Sequence, residues 1–278
     1  MRSVVNRMGP EMDELESKYQ RLRELLRNFG TVLVAFSGGV DSSLLLKVAV
    51  EVLGGRVLAV TVRSETTARR EVDDASRLAG ELGARHRVME SRELEIPEVA
   101  ANPRERCYYC KKNRYEKLIE LAAGEGIGVV ADGENVDDAG DFRPGTRAAR
   151  ELGVRSPLRE AGLGKEEIRA LSRRLGLFTW NKPAFACLAS RIPYGSPLTE
   201  EKLRRVEAAE TYLYEIGVRG SVRVRCFGET ARIETAPGDI EKVASPEIRD
   251  RIVERFQELG FRFVTLDLAG YRTGNLNR

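Results

Sequence analysis

Six residues, TVLVAF at 31–36, run directly into the string SGGVDSS at 37–43, and this junction limits the possible folds more than any other part of the chain. Five apolar residues without alternation fit a strand covered on both faces, as in a parallel sheet flanked by helices. The glycines let the backbone turn tightly and point N–H groups at an anion, while the following helix adds positive potential at its N-terminus. Ser37, Ser42 and Ser43 supply hydroxyl donors, and Asp41 is a candidate to hold Mg2+ against phosphate oxygens. The string has neither the Gly-Lys-Ser/Thr of a Walker A loop nor the spacing of a GxGxxG dinucleotide turn. A lone SGG reads as a serine-capped glycine turn; the whole string at a strand-to-helix junction reads as a nucleotide pyrophosphate site.

The surrounding pattern is that of a doubly wound parallel sheet. Apolar residues at helical spacing predict a helix over 11–28, before the first strand. A helix over 44–53 and an apolar strand over 57–62 complete a βαβ unit. The alternation continues with a helix over 68–82, a strand over 85–89, a helix over 108–123 and the strand GVVAD at 128–132. In such a fold the loops at the strand C-terminal ends hold the ligand. The polar stretch GENVDDAGDFRPG leaves the last of these strands, so Gly133, Asn135 and Asp138 are candidate nucleotide-binding residues. Asp137, Asp141 and Arg143 crowd the same loop, which reads either as a solvated turn or as a phosphate-linked metal site. After a helix over 165–175 comes the irregular segment NKPAFACLASRIPYGSPLT, where a boundary is expected near residue 195. Residues 1–195 are expected to form the nucleotide domain. Residues 196–278 are expected to form a smaller α+β domain for substrate binding and oligomerisation, with helices over 200–216 and 246–259, a hairpin of 221–226 with 231–235, and a last strand over 262–268.

Composition narrows the chemistry. His86 is the single histidine, so two-His metal sites and HExxH helices are excluded; no sequence partner marks it as an acid or base, and it reads as structural. With 46 Lys and Arg against 43 Asp and Glu, the net charge of +3 predicts no polyanion-binding surface, and nucleic acid is not the expected partner. No leader-like or membrane-length apolar run is present, so a cytoplasmic protein in a reducing compartment is expected, one in which thiols serve as ligands or catalysts.

Four cysteines remain to carry any thiol or soft-metal chemistry. Cys107 and Cys110 stand three apart in NPRERCYYCKK at the start of a helix, on one face, where the helix N-terminus with Lys111 and Lys112 favours thiolates. By themselves they read equally as a redox pair, half a zinc site, or two small buried residues. Cys187 lies in PAFACLASRIPYG, a non-helical loop suited to a third ligand or a nucleophile. In SVRVRCF, alternation sets Val222, Val224 and Cys226 on one face and Arg223 with Arg225 on the other, so Cys226 belongs to the core and the arginines to a solvated face. Three available thiols suit a [4Fe-4S] cluster with one iron left open, while zinc completed by Cys226 or His86 is the structural alternative.

SGGVDSS resembles the PP-loop of the ATP pyrophosphatase superfamily. Together with CYYCKK, GENVDDAGDFRPG, PAFACLASRIPYG, RVRCFGETARIE and the terminal GYRTGNLNR, in that order along nearly the whole chain, it is similar to the LarE family of ATP-dependent sulfur transferases. The resemblance implies an adenine nucleotide alpha hydrolase-like domain and an enzyme of nickel-pincer cofactor assembly. Its substrate would be pyridinium-3,5-biscarboxylic acid mononucleotide, whose carboxylate is adenylated by ATP and converted to a thiocarboxylate. In that family sulfur comes either from one sacrificial cysteine or through a [4Fe-4S] cluster held by three cysteines. Cys107, Cys110 and Cys187 place this chain with the cluster-bearing kind.

The same resemblance implies that Ser37, Gly38, Gly39, Asp41, Ser42 and Ser43 hold ATP phosphates, with Mg2+ on Asp41, and that Lys112 lies near the adenylate. It implies Arg223 and Arg225 on the substrate phosphate, joined by Glu234, and a homo-oligomer such as a hexamer. The competing readings are a tRNA-thiolating PP-loop enzyme, against which the charge argues, and a nucleotide-binding module with structural zinc.

Overall fold

The structure, a computed structural model, describes residues 10–140, 144–183 and 186–272. Asp141, Arg143 and the segment 273–278 of the terminal motif lie outside the described residues. The first half of the chain forms α1 (Pro10–Phe29), β1 (Val32–Ala35), α2 (Val40–Leu53), β2 (Val57–Arg63), α3 (Arg69–Glu81), β3 (Arg85–Glu90), α4 (Pro97–Ala100), α5 (Arg106–Gly124) and β4 (Val130–Ala131). The second half forms α6 (Pro144–Glu151), α7 (Pro157–Glu160), α8 (Lys165–Arg174), α9 (Glu200–Glu215), β5 (Arg223–Phe227), β6 (Thr230–Glu234), α10 (Ile240–Ala244), α11 (Pro246–Glu258) and β7 (Phe263–Leu266). Two compact units arise from these elements. The first takes residues up to 62, 69–90 and 110–182; the second takes 63–68, 91–109 and everything from Pro183 onward.

In the first unit the sheet order is β3-β2-β1-β4. Central β1 runs parallel to β2, with Val32 beside Val57, and parallel to β4, with Leu33 beside Val130. Val32 and Val34 pack with Leu22, Leu26, Leu44 and Leu45, whereas Leu33 packs on the other face with Tyr115, Leu118 and Ala122. Coverage of both faces explains the unbroken apolar run, and each buried valine or leucine among these contributes roughly 1.5–3 kcal/mol by leaving water. The chain first builds outward from β1 to β2 and β3, then returns to add β4 on the opposite side. Its winding direction therefore reverses between β1 and β4, which is where open α/β sheets bind ligands.

Helix α2 starts at Val40, four residues before the apolar run at Leu44. Asp41, Ser42 and Ser43 are thus its first turn rather than a loop; no side chain caps the helix, and the Ser42 and Ser43 hydroxyls donate back to the Gly39 carbonyl.

In the second unit the sheet order is β5-β6-β7, with β5 and β6 an antiparallel hairpin and β7 parallel to β6. Gly228 turns the hairpin at φ +62, a conformation open to glycine. Val224, Cys226, Ala231 and Ile233 are buried on one face, and α9 packs against β5. The opposite face departs from simple alternation: Arg223, Arg225 and Glu234 are also buried, at 2%, 4% and 0% exposure. Among the described residues no helix is long and apolar enough to cross a membrane.

Candidate active site

The loop after β1 is built for close backbone approach. Gly38 adopts φ +68 against Ala75, whose Cα would lie 3.1 Å from any Cβ at that position. Gly39 is extended and caps α2, its carbonyl accepting from Ser43 N at 2.9 Å and from Ser43 Oγ at 2.7 Å. Ser37 Oγ and Ser42 Oγ are 3.1 Å apart, and the amides of Ser37 and Gly39 face these hydroxyls at 3.3 and 3.4 Å. Gly133, at the end of β4, lies so near the first turn of α2 that a Cβ would sit 2.9 Å from Ser42 N.

Two lysines meet this loop that the sequence reading did not single out. Lys165 Nζ lies 2.5 Å from Asp41 Oδ2, and Lys182 Nζ lies 3.3 Å from the Gly38 carbonyl and 3.4 Å from Asp74. Asn135 Nδ2 faces Asp41 Oδ1 at 3.4 Å. The loop is braced locally: Asn135 N donates to Asp138, Asn135 Oδ1 accepts from Asp137 N, and Asp137 Oδ2 accepts from Lys165 N. Beneath it, buried Asp132 accepts from the Tyr115 phenol at 2.6 Å and the Ser156 hydroxyl at 2.8 Å. Burial, reinforced by the Asp132 charge, holds Tyr115 well above the usual phenol range, so it stays a neutral donor. Lys112 is a half-exposed side chain 4.0 Å from Glu116.

The second unit contains the CLASR segment. Leu188–Arg191 form a single 3-10 turn directly after Cys187. Three buried guanidiniums take the carbonyls around it: Arg191 donates to Ala186 and Cys187, Arg106 to Ala189, and Arg225 to Ser190 at 2.6 Å. Leu188 N donates to the Thr66 carbonyl at 2.8 Å. Arg191 is also gripped on its outer edge by Glu210, at 2.7 and 2.8 Å, and Glu210 accepts from Val224 N on β5. Arg225 and Arg232 share Glu234, at shortest distances of 2.8 and 2.9 Å respectively. Arg223 stacks on Tyr271 and donates to the Val222 carbonyl; burial, then Arg191 nearby, pulls it below the usual guanidinium range.

Arg106 feels both Cys187 and Cys107: burial by itself would lower it, but the charges of Cys187, Cys107 and Tyr194, with a hydrogen bond to Cys107, together raise that guanidinium. Cys110 lies one turn beyond Cys107 on α5, and all three thiols are half-buried. Cys226 is buried apart from the solvent, its thiol pushed up by burial and directed at the Gly228 carbonyl. Among the described residues, no three His, Cys, Asp or Glu side chains form a metal-binding group. His86 is half-buried, with Nε2 2.9 Å from Thr61 Oγ1, and burial lowers its pKa. The Thr61 hydroxyl donates to the Phe36 carbonyl, so its oxygen accepts and Nε2 carries the imidazole proton.

Lys165, Lys182, Arg106, Arg191 and Glu210 escaped the sequence reading. Arg191 stood inside a quoted motif, yet in a chain with 32% charged residues nothing distinguishes a buried arginine from a solvated one.

Comparison with known proteins gives matches over nearly the full length. Residues 19–105 match the asparagine synthase family. A protein of Synechocystis that is itself uncharacterised is 45% identical, over 95% of this chain and 98% of its own. The pyridinium-3,5-bisthiocarboxylic acid mononucleotide synthase of Lactiplantibacillus plantarum is 42% identical, over 96% of each chain. An uncharacterised protein of Methanocaldococcus jannaschii is 29% identical over 91% of this chain and 94% of its own.

Proposed function

This chain belongs to the LarE family of PP-loop sulfur transferases, and we propose that it uses ATP to convert a carboxylate of pyridinium-3,5-biscarboxylic acid mononucleotide to a thiocarboxylate. The observation that supports the ATP half is the first turn of α2, which no side chain caps, with Ser37, Ser42 and Ser43 gathered at the point where the sheet reverses. Its free amides and hydroxyls receive the nucleotide phosphates. Lys165 and Lys182, already beside Asp41 and Gly38, offset the added negative charge. Nucleotide-bound Mg2+ would take most of its ligands from phosphate and water, so one carboxylate, Asp41, would suffice to hold it, and Lys165, now paired with Asp41, would be placed to meet phosphate oxygens.

The substrate carboxylate oxygen attacks the α-phosphorus as the bond to the β-phosphate oxygen breaks, and pyrophosphate leaves. A sulfur nucleophile then adds to the acyl carbon, and AMP departs with the original carboxylate oxygen and the bonding pair. Arg223, buried on β5 and stacked on Tyr271, is the substrate-phosphate anchor in this reading. Burial, then Arg191, depresses its guanidinium, and a bound phosphate offsets both. Arg225 and Glu234 complete that anchor, and Lys112 serves the adenylate.

Cys107, Cys110 and Cys187 fit a three-thiolate set by donor chemistry, the first two standing one helical turn apart on α5. A [4Fe-4S] cluster held by these thiolates would supply an iron site able to accept exogenous sulfide for the transfer. The enzyme so described is cytoplasmic and homo-oligomeric. Anaerobic reconstitution should give about four irons per chain, falling sharply in Cys107→Ala and Cys187→Ala. AMP and pyrophosphate should form only with the pyridinium substrate; ADP as the sole product removes the adenylation step.

A further inference from the structure

Cys107 and Cys187 lie on segments distant in sequence, and the residues that join those segments have no part in the chemistry above. Asn102 opens the string NPRERC that leads into α5. It is fully buried and has φ +56, the one positive φ among described residues other than glycine. A left-handed backbone at a non-glycine residue persists where its surroundings fix it. Here the fixing bonds are explicit. Asn102 Nδ2 donates to the carbonyls of Pro193 at 2.8 Å and Ser196 at 2.9 Å, and the Asn102 carbonyl accepts from Gly195 N at 2.9 Å. Its Oδ1 accepts from Arg106, which also reaches the Ala189 carbonyl at 3.3 Å and lies over the Tyr194 ring. With the Ile192 carbonyl, 3.4 Å from Asn102 Nδ2, six carbonyl, amide and ring contacts thus run from one short lead-in to residues 189–196, shortly after Cys187. Arg106 immediately precedes Cys107, so the same bonds fix the start of the helix that carries the first thiol.

We propose that Asn102 and Arg106 are positioning residues that hold Cys107 in register with Cys187, so that the two thiols form one sulfur-handling centre before any group is bound. The proposal rests on the reading that both thiols handle sulfur. The αL backbone explains why asparagine stands at 102: it tolerates that conformation and carries the two N–H donors that the facing carbonyls need. Aspartate is the same size with no donor, and glycine keeps the backbone but loses the side chain.

The test uses full-length, iron-free, reduced protein carrying Cys110→Ser, treated with dibromobimane, which fluoresces when it bridges two thiols; peptide mapping identifies the bridge. The parent should bridge Cys107 to Cys187. Asn102→Asp and Arg106→Met should lower the bridging rate by about tenfold or more, the scale on which effective molarity falls when groups lose alignment. Single alkylation of each thiol should persist, and Arg106→Lys should restore part of the bridging. Asn102→Gly is read in place of Asn102→Asp if the latter does not fold. Absence of bridging in the parent, or unchanged bridging in folded Asn102→Gly and Arg106→Met, overturns the proposal. Sulfur transfer is assayed separately in the unmodified chain: its failure with bridging intact removes the proposed activity and leaves the register standing.

Discussion

Replacing Gly133 with alanine tests the geometry of the nucleotide loop. The new methyl would lie 2.9 Å from Ser42 N, 3.2 Å from Ser42 Cα and 3.3 Å from the Asp41 carbonyl carbon, all backbone atoms of the first turn of α2. No side chain can swing aside to make room, so the strand end and the helix must separate by roughly 0.5 Å, the tolerance within which a binding constellation works. Overpacking of this kind costs about 1–3 kcal/mol. If that strain is relieved by displacing the loop, ATP affinity falls by about fivefold to a hundredfold, at about 1.4 kcal/mol per factor of ten. Isothermal titration with a non-hydrolysable ATP analogue measures the loss. Gly128→Ala is the control, because a Cβ there meets nothing within 4 Å. A folded Gly133→Ala protein that binds within about twofold of the parent would refute the close-approach argument.

Other consequences concern stability. Glu210→Gln leaves Arg191 buried at 2% side-chain exposure without its counter-charge, and urea denaturation should show a loss of about 3–5 kcal/mol, partly recovered when Arg191→Met is added. Burial lowers the His86 pKa from 6.5, so the unfolded state takes a proton more readily than the folded state. Its stability contribution is complete above the unfolded value and is lost as pH falls through the depressed folded value; His86→Gln should flatten that part of the pH–stability curve. Cys226→Ala should cost about 1 kcal/mol from lost packing while iron content after reconstitution stays at the parent level.

The central strand and the phosphate loop were legible because each is local. Burial of β1 on both faces leaves an unbroken apolar run, and the loop's glycines and serines fall within seven residues. Alternation correctly set Cys226 opposite Arg223 and Arg225, but period two reports only which face a residue occupies. It carries no information on whether that face is covered, and here Glu234 and the Ser190 carbonyl receive Arg225 where solvent was expected. The start of α2 was missed because polar first-turn residues look like loop. Asn102 with Pro193, and Arg191 with Glu210, pair across sequence separations that no local pattern encodes. The short excursions at 63–68 and 91–109 that cluster with the second unit leave no mark in hydropathy for the same reason.

The most direct test of the account is a single-turnover reaction of the anaerobically reconstituted protein with ATP, sulfide and the pyridinium dicarboxylate mononucleotide, followed by mass analysis of product and protein together. The account predicts a product heavier by the difference between sulfur and oxygen, AMP and pyrophosphate in equal amounts, and a protein of unchanged mass. Thiolated product accompanied by loss of the elements of hydrogen sulfide at Cys187 would contradict the cluster as sulfur carrier, and no thiolated product with ATP converted to ADP would contradict the sulfur-transfer reading itself.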